Sequence, residues 1–370
     1  ASMIHNEMRK HGIKLVLGYT VEGFKEKDNG VEVLLKDNPS LQADMVVLAI
    51  GVTPDTVLAK EAGLELGIKE SIVVNDRMET SVPDIYAAGD AVQVKHYVTG
   101  NDALISLAGP ANKQGRIIAD NICGGDSRYL GSQGSSVIKV FDMTAATTGI
   151  NETNAKKSGL EVDTVILSPM SHAGYYPGGK VMTMKVVFEK ETYRLLGAQI
   201  IGYEGVDKRI DVLATAIHAG LNATQLKDLD LAYAPPYSSA KDPVNMAGFM
   251  IDNIAKGTLK QWHLEDMDKI SKDKDVVLLD VRTVGEFSRG HIDGFKNIPV
   301  DELRERISEI EIGKPVYLIC QSGLRSYIAS RILEGNGYET YNFSGGFRFY
   351  DAVVNDRALI ERAYACGMDY

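Results

Sequence analysis

The segment that most constrains this fold is an apolar run that ends in a cysteine. Residues 316–320 (VYLIC) are predicted to form a strand and residues 326–334 a helix, with a short loop between them. A wholly apolar strand followed by a helix is typical of a parallel sheet that helices cover on both faces. Because open α/β folds place their chemistry at the carboxyl ends of the strands, we expect Cys320 to lie at a functional sheet edge.

The loop after Cys320 has the composition of an anion cradle. Successive backbone N–H groups in such a turn bind anions, and the start of the following helix adds positive potential. Arg325 adds a full positive charge, so the cysteine is expected to react as a thiolate. A thiolate there can attack the sulfane sulfur of a donor, and the resulting persulfide would be held by the same N–H groups, those of Gln321, Ser322, Gly323, Leu324 and Ser326.

The motif CQSGLRS resembles the active loop of rhodanese sulfurtransferases. Five further motifs match the same family: Asp280-Val281-Arg282, Glu286-Phe287, Gly290-His291-Ile292-Asp293-Gly294, Asn297-Ile298-Pro299 and Gly345-Gly346-Phe347. The resemblance implies that Cys320 is the nucleophile and that Arg325 orients donor and persulfide. Four residues separate the two, as in sulfur-transferring rhodaneses, whereas related phosphatases have one residue more and fit phosphate. The alternative is a buried structural cysteine in an inactive module.

The sequence around this motif predicts an α/β domain over residues 264–370. A strand is expected over residues 276–281 and a helix over residues 303–310. The side chains of Asp280, Arg282 and His291 are expected to be structural, holding strands and loops together near the site.

A second informative stretch is residues 80–90, TSVPDIYAAGD. A strand that ends in Gly-Asp places a carboxylate at a sheet edge, where it can accept hydrogen bonds from ligand hydroxyls. The stretch resembles the segment of FAD-dependent disulfide reductases whose Asp contacts the ribityl chain of the flavin, with the helix over residues 110–121 nearby. The resemblance implies cofactor-binding positions at Gly89, Asp90, Ala91 and Ala111. The alternative role for Asp90 is a turn or helix N-cap.

Three stretches between residues 171 and 243 resemble the dimerisation domain of coenzyme A-disulfide reductases: residues 171–177 (SHAGYYP), 205–211 (GVDKRID) and 233–243 (YAPPYSSAKDP). The whole chain is similar to the subgroup with a C-terminal rhodanese domain, also described as persulfide or polysulfide reductases. The resemblance implies FAD, NAD(P)H and coenzyme A as cofactors of the complete family and a homodimer whose interface domain reaches the partner's flavin. It also implies that Tyr175 and Tyr233 assist a substrate thiolate, as a phenol can donate a proton. An ordinary packed loop is the alternative.

The chain departs from this family at two motifs. It contains no GxGxxG, and no cysteine precedes Cys123. We therefore expect the chain to be a fragment of such a protein. Its expected parts are the C-terminal part of a nicotinamide-binding domain (1–84), the C-terminal part of an FAD-binding domain (85–131), a dimerisation domain (132–257) and the rhodanese domain (264–370). Without the glycine loop the pyrophosphate lacks its cradle, so weak or no FAD binding and no NAD(P)H-dependent disulfide reduction are expected.

Other elements follow from periodicity and turn residues. The expected strands are residues 13–17, 21–24, 31–35, 44–50, 85–88, 136–148, 162–168 and 181–189, with a hairpin turn at residues 28–30 (DNG) and a buried apolar run at 45–52. Residues 195–201 are expected to continue the same mixed α/β unit. The expected helices are residues 3–11, 55–62, 207–219 and 245–254. Together they predict an α/β chain with a partial Rossmann-like domain, a mixed dimerisation domain and a rhodanese domain.

Charge and cysteine usage exclude several functions. The formal charge is −10, which argues against nucleic acid or an anionic membrane as the main partner. The cysteines Cys123, Cys320 and Cys366 form no CxxC, so neither a disulfide framework nor a metal site is indicated, and a cytoplasmic setting fits. No apolar run is long enough to span a bilayer. Cys123 and Cys366 are expected to be non-catalytic.

The sequence therefore predicts sulfur transfer through a Cys320 persulfide, attached to part of an oxidoreductase. Small donors or acceptors such as thiosulfate, polysulfide and coenzyme A persulfide or disulfide are expected. One alternative is a non-catalytic dimerisation module that docks a sulfur-carrying partner. Another is a phosphatase or arsenate reductase on the same scaffold, which the short loop disfavours.

Overall fold

The computed structural model of the protein describes residues 1–365, so Cys366 lies outside the described part. The chain divides into two compact units. One comprises residues 1–13 and 136–358, and the other comprises residues 14–135 with residues 359–365. The first unit begins with helix α1 (Ser2–Lys10), as predicted. None of the helices in residues 1–365 is long and apolar enough to cross a membrane.

The unit of residues 14–135 contains a three-stranded antiparallel meander and two helices. Its elements are β1 (Val21–Lys27), β2 (Gly30–Leu35), β3 (Asn38–Ala43), α2 (Val57–Glu61), the paired strands β4 (Val94–Lys95) and β5 (Asp102–Ala103), and α3 (Ala108–Ile122). The hairpin predicted around residues 28–30 is confirmed by the pairing of Lys27 with Gly30. The helices predicted over 55–62 and 110–121 are also confirmed, by α2 and α3.

Three strands predicted in this unit are absent. Residues 13–17 and 44–50 form no strand, and Ile50 at the end of the apolar run is 91% exposed rather than buried. A parallel strand needs neighbours to satisfy its backbone and cover its faces, and no strand within residues 1–365 pairs with this run. Residues 85–88 contribute only an isolated bridge between Tyr86 and Glu79, because a positive φ at Asp84 turns the chain there.

The first half of the larger unit is an antiparallel sheet in the order β6-β7-β10-β9-β8. Its elements in chain order are β6 (Ser136–Val140), β7 (Met143–Gly149), α4 (Glu152–Lys157), β8 (Val162–Leu167), β9 (Met182–Glu189), β10 (Leu195–Gly202), α5 (Val206–His218) and α6 (Pro243–Ala255). Burial alternates over the first half of β9, as expected of a sheet with one face in the core, whereas Val186, Val187 and Phe188 are all buried. The prediction of one strand over 136–148 was wrong, because a turn at Phe141 (φ 53°) splits it into a hairpin.

The second half of this unit is a five-stranded parallel sheet in the order β11-β15-β14-β12-β13. Its elements in chain order are β11 (Gln261–Trp262), α7 (Met267–Ile270), β12 (Val277–Asp280), α8 (Val284–Arg289), β13 (Lys296–Asn297), β14 (Val316–Ile319), α9 (Leu324–Glu334), β15 (Thr340–Phe343) and α10 (Gly346–Ala365). Leu318 packs into the core on one face of β14 and Ile319 into the core on the other. The predicted parallel sheet with two covered faces is confirmed.

The helix predicted over residues 303–310 was wrong. The segment forms turns and a single 3₁₀ turn, Ile307–Glu309. Leu303 and Ile310 are both buried in the core against Leu333. Because so short a segment has little helical stability of its own, this packing decides its conformation.

Contacts between the two sheets of the larger unit are polar and specific. The Ile166 N–H donates to Ser344 Oγ over 3.0 Å. Gln261 Nε2 donates to Asp163 Oδ1 over 3.1 Å, and the His263 ring bonds to the same carboxylate oxygen over 3.1 Å. These bonds hold β8 beside β11 and the end of β15.

Candidate active site

The Cys320 thiol lies directly after β14, under the start of α9. The side chain is 1% exposed. The N–H of Gly323 donates to Sγ over 3.1 Å, and the Ser326 hydroxyl lies 3.2 Å from Sγ. That hydroxyl is also 3.1 Å from the Gly323 carbonyl oxygen, so its single hydrogen can serve either acceptor. Two hydrogen-bond donors therefore lie within reach of the sulfur, and each stabilises negative charge on the sulfur when it donates to it.

The loop around Cys320 is shaped by two glycines. Gly323, with φ 102°, turns the chain into α9, a conformation that favours glycine. Gly346, with φ 68°, allows the start of α10 to approach so closely that a Cβ there would lie 2.6 Å from the Ser322 nitrogen. The N–H of Phe347 donates to the Cys320 carbonyl oxygen over 2.8 Å. The loop is thus held from two sides.

Arg325 is held by Glu286 in a bidentate ion pair, with both N–O distances 2.7 Å. The guanidinium holds the pKa of the Glu286 carboxyl at about 2, well below its usual range. The same pairing raises the pKa of Arg325. Thr283 also donates to Glu286, from its N–H and from its hydroxyl, each over 3.0 Å. Glu286 was noticed in the sequence only as part of a motif, although the Thr283-x-x-Glu286 spacing indicates a capping box.

Asp280 and Arg282 form a buried pair beside this loop. Arg282 Nη2 lies 2.7 Å from Asp280 Oδ2 and donates to the Gly290 carbonyl oxygen over 2.8 Å. The guanidinium also lies 3.8 Å from the centre of the Phe347 ring. His291 bonds to the Phe287 carbonyl oxygen over 3.1 Å. These contacts join α8, β12 and the start of α10, as expected of residues that hold strands and loops together.

The two tyrosines predicted to assist a substrate thiolate lie close together. The hydroxyls of Tyr175 and Tyr233 are 2.7 Å apart. Tyr175 is 76% exposed, so the pair faces solvent. The hydrogen bond with Tyr175 is the main cause that raises the pKa of Tyr233. A cavity of about 410 Å³ lies against Tyr233 and is also lined by Lys208 and Glu204. None of the described residues that line this cavity belongs to the Cys320 loop.

Sequence reasoning missed Arg209, which connects the three stretches of the predicted dimerisation domain. Its guanidinium is 1% exposed. Nη2 lies 2.9 Å from Asp242 Oδ2 and donates to the Ser171 carbonyl oxygen over 2.9 Å and to Ser238 Oγ over 3.1 Å. The signal was present, because a buried arginine needs a carboxylate partner and the motif residues 233–243 contain one.

The predicted flavin contacts lie at a turn, Gly89–Ala91, that packs against α3. The Gly89 N–H donates to Gln114 Oε1 over 2.7 Å, and no atom lies within 4 Å of the position that a Cβ would occupy there. Asp90 is exposed and Ala111 lies in the first turns of α3. Among the predicted contacts, Asp90 alone has a side chain that can accept hydrogen bonds from ligand hydroxyls. The residues present do not fit a whole FAD, because no glycine-rich strand–helix turn is available for its pyrophosphate.

The comparisons with known proteins match all three regions. Residues 1–115 match the model described as pyridine nucleotide-disulphide oxidoreductase, residues 135–243 match the dimerisation domain of the same family, and residues 263–352 match the rhodanese-like domain. The chain belongs to the pyridine nucleotide-disulphide oxidoreductase family. Its C-terminal rhodanese-like domain places it among the members that carry this addition, and the fold class predicted from the sequence is confirmed.

Two solved structures of this family match nearly the whole chain. Reduced CoADR-RHD of Bacillus anthracis is 46% identical with a TM-score of 0.93, and the match covers 96% of this chain and 64% of that one. The NAD-dependent persulfide reductase of A. fulgidus is 40% identical with a TM-score of 0.87, covering 95% and 64%. A relative from Pyrococcus abyssi, named NAD(P)H sulfur oxidoreductase (CoA-dependent), is 37% identical over 65% of this chain and 54% of its own.

The chain spans about half the length of the curated relatives it matches. The cofactors that the resemblance implies for the family, FAD, NAD(P)H and coenzyme A, agree with those named for its members. Among the described residues no group of three or more His, Cys, Asp or Glu side chains is placed to hold a metal ion. Cys123 is exposed at the end of α3.

Proposed function

We propose that the rhodanese-like domain transfers sulfur through a persulfide on Cys320. The observation that carries this proposal is the pair of hydrogen-bond donors on Sγ, the Gly323 N–H and the Ser326 hydroxyl. A buried sulfur with two donors at a helix start is suited to hold an anion, either thiolate or persulfide. The remaining loop residues, Gln321, Ser322 and Leu324, contribute the backbone of the cradle.

The transfer step balances without an added oxidant. The Cys320 thiolate attacks the outer sulfur of a donor R–S–SH, and its electron pair forms the new S–S bond. The old S–S bond breaks, and its electron pair leaves with the thiolate R–S⁻. With thiosulfate the leaving group is sulfite. An acceptor thiolate then attacks the outer sulfur of the Cys320 persulfide by the same displacement and restores the Cys320 thiolate.

Arg325 is proposed to orient donor and persulfide rather than to react. Its position is determined by the two bonds to Glu286, which leave part of the guanidinium edge for a ligand. Glu286 is thus a positioning residue. Because the ion pair is close to neutral, the anion is stabilised mainly by the backbone cradle and the helix start.

For the whole protein we propose a homodimeric reductase of coenzyme A-type disulfides, persulfides or polysulfides that uses FAD and NAD(P)H. The names of the relatives and the matched dimerisation domain support this assignment. Tyr175 and Tyr233 would protonate a leaving thiolate, and Gly89, Asp90, Ala91 and Ala111 would contact the flavin. The boundaries at residues 84, 131 and 257 are part of this proposal. We expect the 370-residue chain itself to lack flavin-dependent NADH oxidation, and rapid oxidation would contradict that.

The decisive experiment is the intact mass of the reduced protein after brief incubation with thiosulfate or polysulfide. We expect a gain of one sulfur atom in the wild type and in Cys123→Ser, and no gain in Cys320→Ser. The Cys123→Ser variant is the matched control because Cys123 is an exposed cysteine outside this domain. If no donor adds sulfur to the wild type, the transfer proposal fails and a docking module for a sulfur-carrying partner takes its place.

A further inference from the structure

A cavity of about 340 Å³ lies between α6 and the loop that holds Cys320. One wall consists of the loop itself, including Gly323. The opposite wall consists of Met246, Phe249 and Met250 of α6, and Leu259 lies beside them. This volume is within the range of small-molecule sites in proteins. We refer to this cavity, between the sheet of β6–β10 and the parallel sheet, as the slot.

The walls of the slot suit an apolar chain. Methionine side chains adapt their shape to a ligand, and two of them lie on the α6 wall. Phe249 adds an exposed aromatic face. Among the residues that line the slot, Lys241 is the only charged one, and it is exposed to solvent. A ligand that fills the slot is therefore expected to be uncharged along most of its length.

One residue that lines the slot has a polar atom without a hydrogen-bond partner among the described residues. Asn342, on β15, is 3% exposed and lines the slot. Its Nδ2 donates to the Gly323 carbonyl oxygen over 3.1 Å, which requires the nitrogen to face that oxygen. No described residue donates to the remaining atom, Asn342 Oδ1. A buried amide oxygen without a hydrogen bond costs free energy, which a ligand with an N–H or O–H group would recover.

The charge beside Cys320 also disfavours small inorganic dianions. Arg325 is neutralised by the two 2.7 Å contacts to Glu286, whose carboxylate is ionised at all ordinary pH values. Thiosulfate offers neither an apolar chain for the α6 wall nor a hydrogen-bond donor for Asn342. An organic persulfide offers both when its sulfur is attached to an amide-containing chain.

We propose that the slot binds the organic arm of the sulfur carrier, an uncharged and mostly apolar chain with an N–H or O–H donor that bonds to Asn342 Oδ1. This inference rests on the proposed sulfur transfer and names the class of carrier that Cys320 serves. The contacts of the arm position its terminal sulfur at the loop, so the domain selects organic persulfides over inorganic donors.

Two matched donors test the hydrogen bond. The persulfide of N-butyrylcysteamine carries an amide N–H, and the persulfide of 2-mercaptoethyl butanoate has an ester oxygen in its place. We expect kcat/KM for persulfidation of Cys320 to be about tenfold higher for the amide, as for one hydrogen bond to a buried acceptor. Equal rates for amide and ester would overturn the role of Asn342.

A substitution that fills the slot with a larger side chain tests whether the organic arm binds there. In Met246→Trp we expect kcat/KM for N-butyrylcysteamine persulfide to fall about tenfold or more, while the rate with thiosulfate changes less than about twofold. Ile328→Trp is the control, because Ile328 is 43% exposed on α9 and does not line the slot. An equal loss with both donors would overturn the proposal.

Binding of an unreactive analogue tests the slot independently of the sulfur-transfer reaction. The unreactive S-methyl thioether of N-butyrylcysteamine is titrated into Cys320→Ser by NMR. We expect saturable binding, at least about tenfold weaker for the ester analogue. If neither analogue binds, or if the amide and the ester bind equally, the proposal that the slot binds the arm is overturned. This outcome does not depend on whether Met246→Trp folds. If no donor persulfidates the wild type, the proposed function fails on its own, while this titration still reports on the slot.

Discussion

Two apolar runs of similar composition differ in structure, because one forms a buried strand and the other forms no strand and is exposed. Residues 45–52 (MVVLAIGV) and residues 316–320 (VYLIC) both read as buried parallel strands. The second run forms β14 between β12 and β15, with Leu318 and Ile319 fully buried. The first run forms no strand, and its residues Met45, Val47 and Leu48 are exposed.

The difference shows that an apolar sequence is not sufficient to form a buried strand. A parallel strand satisfies its N–H and C=O groups only through its neighbours and buries its side chains only under covering helices. β14 has two neighbouring strands, with α9 packed on one of them and on β14 itself. Residues 45–52 have no neighbouring strand within the described part of the chain.

Hydrogen exchange would test this comparison most strongly. Backbone amides of β14 open only with the unfolding of their domain, whereas amides in residues 45–52 have no ladder to protect them. We expect exchange in residues 316–319 to be about a thousandfold slower or more, as follows from ordinary domain stability. Mass spectrometry of peptic peptides measures both segments in one sample. Comparable rates would mean that residues 45–52 are paired in solution.

Truncating one leucine in each run gives the next largest effect. Leu318→Ala removes a fully buried side chain and should lower the free energy of unfolding by ~2–5 kcal/mol. Leu48→Ala removes an exposed side chain and should change stability by less than ~0.5 kcal/mol. The fluorescence of Trp262, the only tryptophan, reports on the parallel sheet during urea unfolding.

Leu318 and Leu48 lie in different units, so the stability of each unit has to be measured with its own probe. Amide exchange of α3 follows the unit of residues 14–135, where Leu48 lies. A loss above ~2 kcal/mol for Leu48→Ala would show that this run is buried in solution.

The smallest effect concerns the loop that follows β14. The folded pKa of Glu286, about 2, lies below the ordinary value of 4.5, so its ion pair with Arg325 adds stability above pH 4.5. That contribution is lost as the pH falls through about 2, when the folded carboxyl takes up a proton. We expect Glu286→Gln to lose about 1 kcal/mol at pH 6, because the pair is bidentate but partly exposed.

The Glu286 effect should shrink between pH 4.5 and pH 2. The matched control is Glu311→Gln, an exposed carboxylate of the same domain. The measurement is the difference in urea midpoint of the Trp262 signal between each variant and the wild type. A loss for Glu286→Gln that stays constant down to pH 2 would contradict the assigned pKa.

More of the chemistry of the Cys320 loop than of its tertiary contacts could be predicted from the sequence. The anion cradle depends on the backbone of consecutive residues, and the sequence predicted its place between a strand and α9. The same sequence did not reveal that Glu286 neutralises Arg325 or that Asn342 bonds to Gly323, because these partners lie 39 and 19 residues away along the chain. The family resemblance named Tyr175 and Tyr233 as residues that assist a thiolate, but only the structure shows the bond between their hydroxyls.

The sequence by itself determined the features that depend on short-range order. These are the turn at residues 28–30, the alternation of strands and helices in the rhodanese-like domain, and the loop that begins at Cys320. Only the tertiary structure decided which apolar run becomes a strand, which carboxylate neutralises Arg325 and where the slot opens. Periodicity and turn preference act over a few residues, whereas burial and strand pairing join residues that are distant in the chain.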